Sequence, residues 1–193
     1  MTRLQLSTSL VTIFFLGALV LRPLLHRLRT GAWGIHGLSG TPREAGWWGG
    51  AAFIASLVLT PLALMMPPAV ETPAAPGVIT ACFGALLTFI AQSGMGTSWR
   101  IGVRVGDRTA LVTAGLFSVV RNPIFTGMLA FAAGLVGLWP NALSVAAALA
   151  LLVAVELQVR FVEEPFLRRL HSEAWVAWAR RVGRFLPRVG RLP

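Results

Sequence analysis

Residues 119–128 read VVRNPIFTGM, and the triplet Arg121-Asn122-Pro123 in this stretch stands directly before an apolar run. Asparagine is a favoured helix N-cap and proline a favoured first helical residue, so the triplet predicts the start of a helix. A helix start also attracts anions, because its free N–H groups and its dipole face outward, and Arg121 adds a positive charge. Helix capping and anion binding are compatible here.

A second group of charged residues follows about one helical span later. Glu156 and Arg160 are four residues apart, a spacing that predicts an ion pair on one helical face. Glu163 and Glu164 are adjacent, and neighbouring carboxylates repel each other unless a cation lies beside them. We therefore expect this group to attract an ammonium group or ribose hydroxyls. A zwitterion that carries a nucleoside would satisfy both charged groups.

The composition indicates that these charged residues belong to a membrane protein. The 193 residues are 55% apolar, and the mean hydropathy is +0.72, which is too high for an ordinary soluble domain. The chain has 17 Lys+Arg, all of them arginine, against 7 Asp+Glu. The arginines cluster beside apolar runs, so anionic lipid headgroups and topology account for them better than nucleic acid, for which we identify no binding module.

Five apolar segments approach the about 20 helical residues needed to cross a bilayer. These segments are residues 4–25, 47–66, 76–93, 123–139 and 141–159. Arginines follow the first, third and fifth segments, so the positive-inside tendency places the N-terminus outside and the C-terminus in the cytoplasm. We expect one membrane domain over residues 1–193, with three spans in 1–93, in a plasma membrane that would be the inner membrane of a bacterium.

Only Pro140 separates the fourth segment from the fifth, and so short a connection predicts an antiparallel helical hairpin. Its two cytoplasmic ends, at Arg121 and Arg160, should lie close together. The last predicted element is an amphipathic helix on the cytoplasmic surface, with one face formed by Leu167, Leu170, Ala174 and Trp178. This helix would anchor the chain to the membrane surface, cover a site, or do both. The predicted fold class is an all-α integral membrane protein with about five transmembrane helices.

Two further features carry weaker information. Gly94 and Gly96, in the sequence QSGMG, allow a close backbone approach, although a helix-ending or packing role is the commoner explanation. Cys82 is the only cysteine, and the three histidines lie far apart in the sequence. We therefore expect no metal site and no disulfide framework.

The order of these motifs resembles the integral-membrane methyltransferases that include isoprenylcysteine carboxyl methyltransferase and phospholipid N-methyltransferases. The family pattern is Arg-His-Pro-x-Tyr-x-Gly, then Glu-Glu, then a tail that ends in Arg and Pro. The pattern falls on Arg121, Asn122, Pro123, Phe125, Gly127, Glu163, Glu164, Arg181 and Pro187, within residues 94–188. Asn122 and Phe125 stand where the family usually has His and Tyr, so two hydrogen-bonding groups are replaced.

The resemblance implies a methyltransferase that binds S-adenosylmethionine in a cytoplasmic-facing pocket and takes a lipid-like or prenylated acceptor from the bilayer. The predicted cofactor contacts are Gly94, Gly96, Asn122, Pro123, Phe125, Gly127, Glu163 and Glu164. The predicted acceptor contacts are Arg160, Trp178 and Arg181. The resemblance does not identify the acceptor or the oligomeric state.

The chemistry of the acceptor would decide which charged side chains take part in the reaction. A carboxylate acceptor needs a cation to fix it, and Arg121 could hold it in bidentate fashion. An amine acceptor must first lose a proton, for which Glu156 is the candidate base. We favour a carboxylate or another anionic lipid-like group, with N-methylation of a phospholipid amine as the alternative.

A non-catalytic membrane protein, structural or associated with transport, is the competing class. In such a protein the arginine and glutamate pairs would only tie helices together. Changes of Glu163 and Glu164 would then abolish folding rather than turnover, and no cofactor would bind.

Overall fold

In the computed structural model, residues 1–37, 40–102 and 110–193 are described, and they form a bundle of helices. The helices are α1 (Arg3–Phe15), α2 (Arg22–Thr30), α3 (Ala45–Ala63), α4 (Ala74–Gly94), α5 (Pro123–Leu138), α6 (Ala142–Gln158) and α7 (Glu164–Arg181). The prediction of an all-helical membrane protein is confirmed. The described part of the chain contains four helical segments long and apolar enough to cross a membrane.

The first span is one continuous helical segment of 28 residues, Arg3–Thr30, rather than two separate helices. A π-helical turn at Leu16–Leu21 joins α1 to α2 without a break. The segment ends at Gly31, whose φ of 78° is the left-handed conformation that favours glycine at a helix C-terminus. The π turn inserts extra backbone where the first span passes the functional cavity described below.

The other predicted spans agree with the observed helices to within a few residues. α5 is the shortest, with 16 residues, so it rises about 24 Å along its axis. Arg104 and Arg108, two of the arginines in the loop after the third span, lie outside the described residues.

The predicted hairpin is formed by α5 and α6, and a network of hydrogen bonds closes its turn. Asn141 caps α6 by accepting a hydrogen bond from the Ser144 backbone N–H at 2.9 Å. Its side-chain amide also donates to the Ala63 carbonyl at 2.8 Å, and the Trp139 indole N–H donates to the Met66 carbonyl at 2.9 Å. These bonds tie the hairpin turn to the end of α3.

Glycines bring the backbones of α4 and α5 into direct contact. A Cβ atom at Gly84 would lie 2.3 Å from the Phe131 backbone nitrogen, and one at Gly134 would lie 2.3 Å from the Ala81 nitrogen. Such small-residue contacts are typical of packed transmembrane helices, because they let helix backbones approach closely. The contact fixes the start of α5 beside the end of α4.

A second π turn, Val159–Glu163, joins α6 to α7. α7 is interrupted at Ser172, whose φ of 45° and ψ of −118° are not helical. Ser172 lies between Leu170 and Ala174, so the predicted apolar face does not follow one regular helix. Trp175 is buried, whereas Leu170 and Ala174 are exposed, as residues that face a membrane surface would be.

Candidate functional site

A cavity of about 470 Å³ lies at the end of the bundle where α3 and α5 begin and α4 and α6 end. Apolar residues form one part of its lining, among them Ala18, Leu19, Phe53, Ile54, Leu57 and Val155. Polar and charged residues form another part, among them Gln92, Ser98, Arg100, Asn122, Gln158 and Glu163. The cavity therefore offers both an apolar surface and a small set of polar groups, as small-molecule sites usually do.

The start of α5 supplies one wall of the cavity. Pro123 is the first helical residue, as predicted, and Asn122 occupies the N-cap position. The Asn122 side chain does not cap the helix; instead its amide donates to the Arg184 carbonyl at 3.2 Å. Asn122, Pro123 and Phe125 all line the cavity. The helix start is thus held by the C-terminal tail, and not by a local side-chain cap.

Arg121 is buried, with 4% of its surface exposed. Each of its five N–H groups donates to a protein oxygen: two bonds reach the Glu164 carboxylate and three reach the carbonyls of Ala179, Val182 and Gly190. Although Arg121 borders the cavity, this geometry does not support the predicted bidentate contact with a carboxylate acceptor. Such a contact would require several of these bonds to break.

Glu164 is the anionic partner in this buried network. Its Oε1 accepts from Arg121 Nη2 at 2.8 Å and from Arg184 Nε at 2.9 Å, while its Oε2 accepts from Arg184 Nη2 at 2.8 Å. The Arg121 backbone N–H also donates to the Gly183 carbonyl at 2.7 Å. The two ends of the α5–α6 hairpin are therefore joined through α7 and the tail. Glu164 stabilises this junction and does not line the cavity.

Glu163 has a different position from its neighbour, since it lines the cavity. Gln158, five residues earlier in the chain, also lines the cavity. The two adjacent carboxylates are thus separated into different environments, one in a buried ion-pair network and one in the cavity wall. The sequence had predicted that both carboxylates belong to one charged group that binds the same ligand.

Trp178 also lines the cavity, and its indole N–H donates to the Phe117 carbonyl at 3.0 Å. This bond fixes the ring of a side chain that is only 5% exposed. Trp178 therefore brings α7 into the lining of the cavity.

Several predicted site residues lie elsewhere. Gly127 faces α4, where a Cβ would lie 2.5 Å from Thr88 Oγ1, so its position is explained by helix packing. Gly94 and Gly96 do not line the cavity, although Gln92, Met95 and Ser98 around them do. The remaining predicted residues outside the cavity lining are Glu156, Arg160 and Arg181.

The i, i+4 spacing correctly predicted the ion pair between Glu156 and Arg160. The pair is partly exposed, and neither side chain faces the cavity. Glu156 is therefore not placed to accept a proton from a molecule in the cavity, and the geometry does not support its predicted role as a base.

Sequence reasoning missed three residues that shape this end of the bundle: Arg22, Gln92 and Arg184. Arg184 forms the ion pair with Glu164, whereas the family pattern had pointed to Arg181, which is exposed. Arg22 donates from Nη2 to the carbonyls of Gln92 at 3.0 Å and Gly96 at 2.8 Å. Arg22 and Gln92 are polar residues near the ends of apolar segments. Polar residues in such positions are candidate functional residues, so the sequence could have indicated both.

The fold defines a multi-pass membrane protein, and the described residues enclose a cavity at one end of its helix bundle. Residues 72–174 match the phospholipid methyltransferase family, more than half of the 193-residue chain. The chain belongs to this family, which is related to the isoprenylcysteine carboxyl methyltransferases. The resemblance stated from the motifs is confirmed at this level. The match ends at residue 174 within α7 (Glu164–Arg181), so Trp178 and the Arg184 tail lie outside it.

No curated protein and no solved structure matches the chain. Methyltransferases of this family generally use S-adenosylmethionine, and they act on lipid-like substrates in membranes.

Proposed function

We propose that this protein transfers a methyl group from S-adenosylmethionine to a lipid-like acceptor in the cavity described above. The observation that carries the proposal is the placement of Glu163 in the wall of a cavity that Asn122, Trp178 and several apolar residues also line. A cavity built only to close a helix bundle would have no use for a carboxylate in its lining.

The lining residues fit the cofactor in size and in chemistry. A volume of about 470 Å³ lies within the range of about 300–1,000 Å³ that is usual for small-molecule sites. The Glu163 carboxylate offers acceptors to ribose hydroxyls or to the ammonium group, and Asn122 offers a carboxamide. The rings of Phe125, Phe166 and Trp178 offer faces that favour a sulfonium cation.

S-adenosylmethionine supplies an activated methyl group on a cationic leaving group, so the protein has little covalent chemistry to perform. The chain contributes chiefly by positioning the reacting molecules and excluding water, which lowers the entropic part of the barrier. Trp178, fixed by its bond to the Phe117 carbonyl, covers the site from α7. The Arg121–Glu164 network holds the start of α5 in place behind the site.

The bonding of Arg121 and the position of Glu163 favour an amine acceptor over a carboxylate, although Arg100 also lines the cavity. The guanidinium of Arg121, expected to hold a carboxylate, is taken up by five bonds to protein oxygens. Glu163 lines the cavity, and a carboxylate there attracts an ammonium group and would accept its proton before methyl transfer. A phospholipid amine is therefore our preferred acceptor class, and a carboxylate on a prenylated molecule is the second candidate.

The proposed orientation places the cavity at the cytoplasmic face, with the N-terminus outside. Arg22, Arg27 and Arg29 at the end of the first span lie at the same end of the bundle as the arginines of α7 and the tail. The positive-inside tendency assigns that end to the cytoplasm. In a bacterial cell the membrane would be the inner membrane.

A methyl-transfer assay with radiolabelled S-adenosylmethionine tests the proposal. The purified protein would be given phosphatidylethanolamine vesicles in one arm and N-acetyl-S-farnesylcysteine in the other. We expect transfer to the phosphatidylethanolamine, and a loss of at least about tenfold in the Glu163→Gln variant. The matched control is Glu156→Gln, which removes a carboxylate outside the cavity and should retain activity. Transfer only to the farnesylcysteine carboxylate would favour the second candidate, and transfer to neither would contradict the proposal for both classes.

A further inference from the structure

One buried polar side chain in the cavity wall is not explained by the fold. Gln92, near the end of α4, is 6% exposed, and its side chain lines the cavity. Within residues 1–37, 40–102 and 110–193, the Gln92 carboxamide has no hydrogen-bond partner; only its backbone carbonyl is bonded, to Arg22. Thr88, one turn earlier on the same helix, is bonded to the Gly84 carbonyl at 2.9 Å.

A carboxamide that lines a cavity and has no protein partner can hydrogen-bond only a molecule inside the cavity, which is water when no ligand is bound. A methionine would fill nearly the same space without a donor or an acceptor. Gln92 therefore offers both groups to a ligand that replaces this water.

The position of Gln92 along the bundle indicates which part of a ligand it meets. Arg22 Nη2 lies 3.0 Å from the Gln92 carbonyl, which fixes Gln92 at the level of Arg22. Ala18, which also lines the cavity, is four residues before Arg22 on the first span. Gln92 thus lies at the boundary between the apolar lining of the first span and the polar loop that contains Ser98.

The apolar lining beside Gln92 continues towards the outside of the bundle. Leu19 in the first span, and Phe53 and Ile54 in α3, line the cavity, and Ile54 is 50% exposed. An exposed apolar residue that also lines the cavity marks a side of the site that faces lipid. A hydrocarbon chain lying against this surface would place the group at its end beside Gln92.

We infer that Gln92 is an acceptor-recognition residue whose carboxamide hydrogen-bonds an uncharged polar group, an ester linkage or an amide, near the end of the acceptor's lipid chain. This inference rests on the proposed function and specifies the substrate further. An ester or amide fits because a carboxamide can donate to a carbonyl oxygen and is itself neutral.

The backbone of the first span supports the same assignment. The π turn at Leu16–Leu21 contains Ala18 and Leu19, the two residues of this span that line the cavity. π turns within α-helices are frequently found at functional sites, because they redirect side chains from the regular helical positions. Ala18 and Leu19 are therefore placed in the cavity lining by an irregularity that simple spanning of the membrane does not require.

Paired acceptors that differ in one carbonyl-containing group test the inference. Diacyl phosphatidylethanolamine would be compared with its dialkyl ether analogue, which lacks the ester carbonyls. N-acetyl-S-farnesylcysteine would be compared with S-farnesylthiopropionic acid, which lacks the amide on the carbon next to the carboxylate. We expect the wild type to prefer the carbonyl-containing member of the active pair by about tenfold in kcat/KM, because a site built around a hydrogen bond rejects an analogue that cannot form it. The pair of acceptors that the protein methylates shows whether the recognised group is a glycerolipid ester or a cysteinyl amide.

The Gln92→Met variant separates recognition from structure. It should lose the preference while its melting temperature stays close to that of the wild type, since the substitution breaks no side-chain hydrogen bond to a described residue. Gln92→Glu, which keeps the shape but removes the N–H donors, should also lose the preference. Calorimetric binding of S-adenosylmethionine should be unchanged in both variants.

Equal turnover of both members of each pair by the wild type, or a preference that survives in Gln92→Met, would overturn the inference. A wild type that binds S-adenosylmethionine but methylates none of the four acceptors would also overturn it, because neither linkage is then recognised. A wild type that does not bind S-adenosylmethionine would instead remove the proposed function itself.

Discussion

Asn122 and Asn141 occupy equivalent places in the sequence, each immediately before an apolar helix of the hairpin, yet their side chains differ in function. Asn141 accepts the Ser144 N–H at 2.9 Å and donates to the Ala63 carbonyl at 2.8 Å, so it caps α6 and binds α3. Asn122 makes no capping bond, and its amide donates to the Arg184 carbonyl at 3.2 Å beside the cavity.

The difference extends to the two ends of the bundle. At the hairpin turn, the side chains of Trp139, Asn141 and Ser144 all form internal hydrogen bonds, as a closed structural turn requires. At the opposite end, Gln92 and Glu163 present polar groups to a cavity. The same residue types thus stabilise one end of the bundle and provide binding groups at the other.

The largest effect should come from removing the buried guanidinium that holds the cavity end together. Arg121→Ala deletes five hydrogen bonds and leaves Glu164 with Arg184 as its remaining cationic partner. We expect a loss of about 3–5 kcal/mol, because removing one partner leaves a buried charge poorly compensated. Thermal unfolding of the detergent-purified protein would measure it. Unchanged stability with loss of turnover would restore Arg121 as an acceptor-binding residue.

An intermediate effect should distinguish the two asparagines directly. Asn141→Ala removes a helix cap, so we expect a stability loss of about 1–2 kcal/mol with methyl-transfer activity retained. Asn122→Ala removes one bond to the tail, so its main effect should be weaker binding of S-adenosylmethionine. The two variants would be compared in the same thermal and calorimetric measurements. If both variants lose stability and S-adenosylmethionine binding to the same extent, the two asparagines do not have the different roles assigned to them.

The smallest effect is expected at the ion pair that lies outside the cavity. Glu156 and Arg160 form a partly exposed pair, with 34% and 49% of their side chains exposed. Exposed pairs contribute about 0–1 kcal/mol, so Arg160→Gln should change the melting temperature little and leave turnover intact. A large loss of activity in this variant would show that the pair contacts the acceptor, as the sequence had predicted.

The sequence predicted the spans, the hairpin and the Glu156–Arg160 pair because each depends on local spacing. Apolar length defines a membrane span, and a separation of four residues defines a helical pair. The start of α5 at Pro123 was likewise predicted from the favoured position of proline.

The partners of Arg121 and the face of α7 could not be obtained in this way. Glu164 is 43 residues from Arg121, and the π turn at Val159–Glu163 changes which of the two adjacent carboxylates faces the cavity. The interruption at Ser172 exposes Ala174 and buries Trp175, which no regular periodicity predicts. Gln92 was overlooked because its significance depends on burial and on the absence of a partner among the described residues.

Calorimetric titration of the detergent-purified protein with S-adenosylmethionine and S-adenosylhomocysteine tests the central claim most directly. The wild type and Glu156→Gln should bind both molecules, whereas Glu163→Gln should bind at least about tenfold more weakly while unfolding at the wild-type temperature. Binding that is equal in all three proteins would contradict the assignment of the cofactor to this cavity wall. A folded wild type that binds neither molecule would favour the non-catalytic alternative.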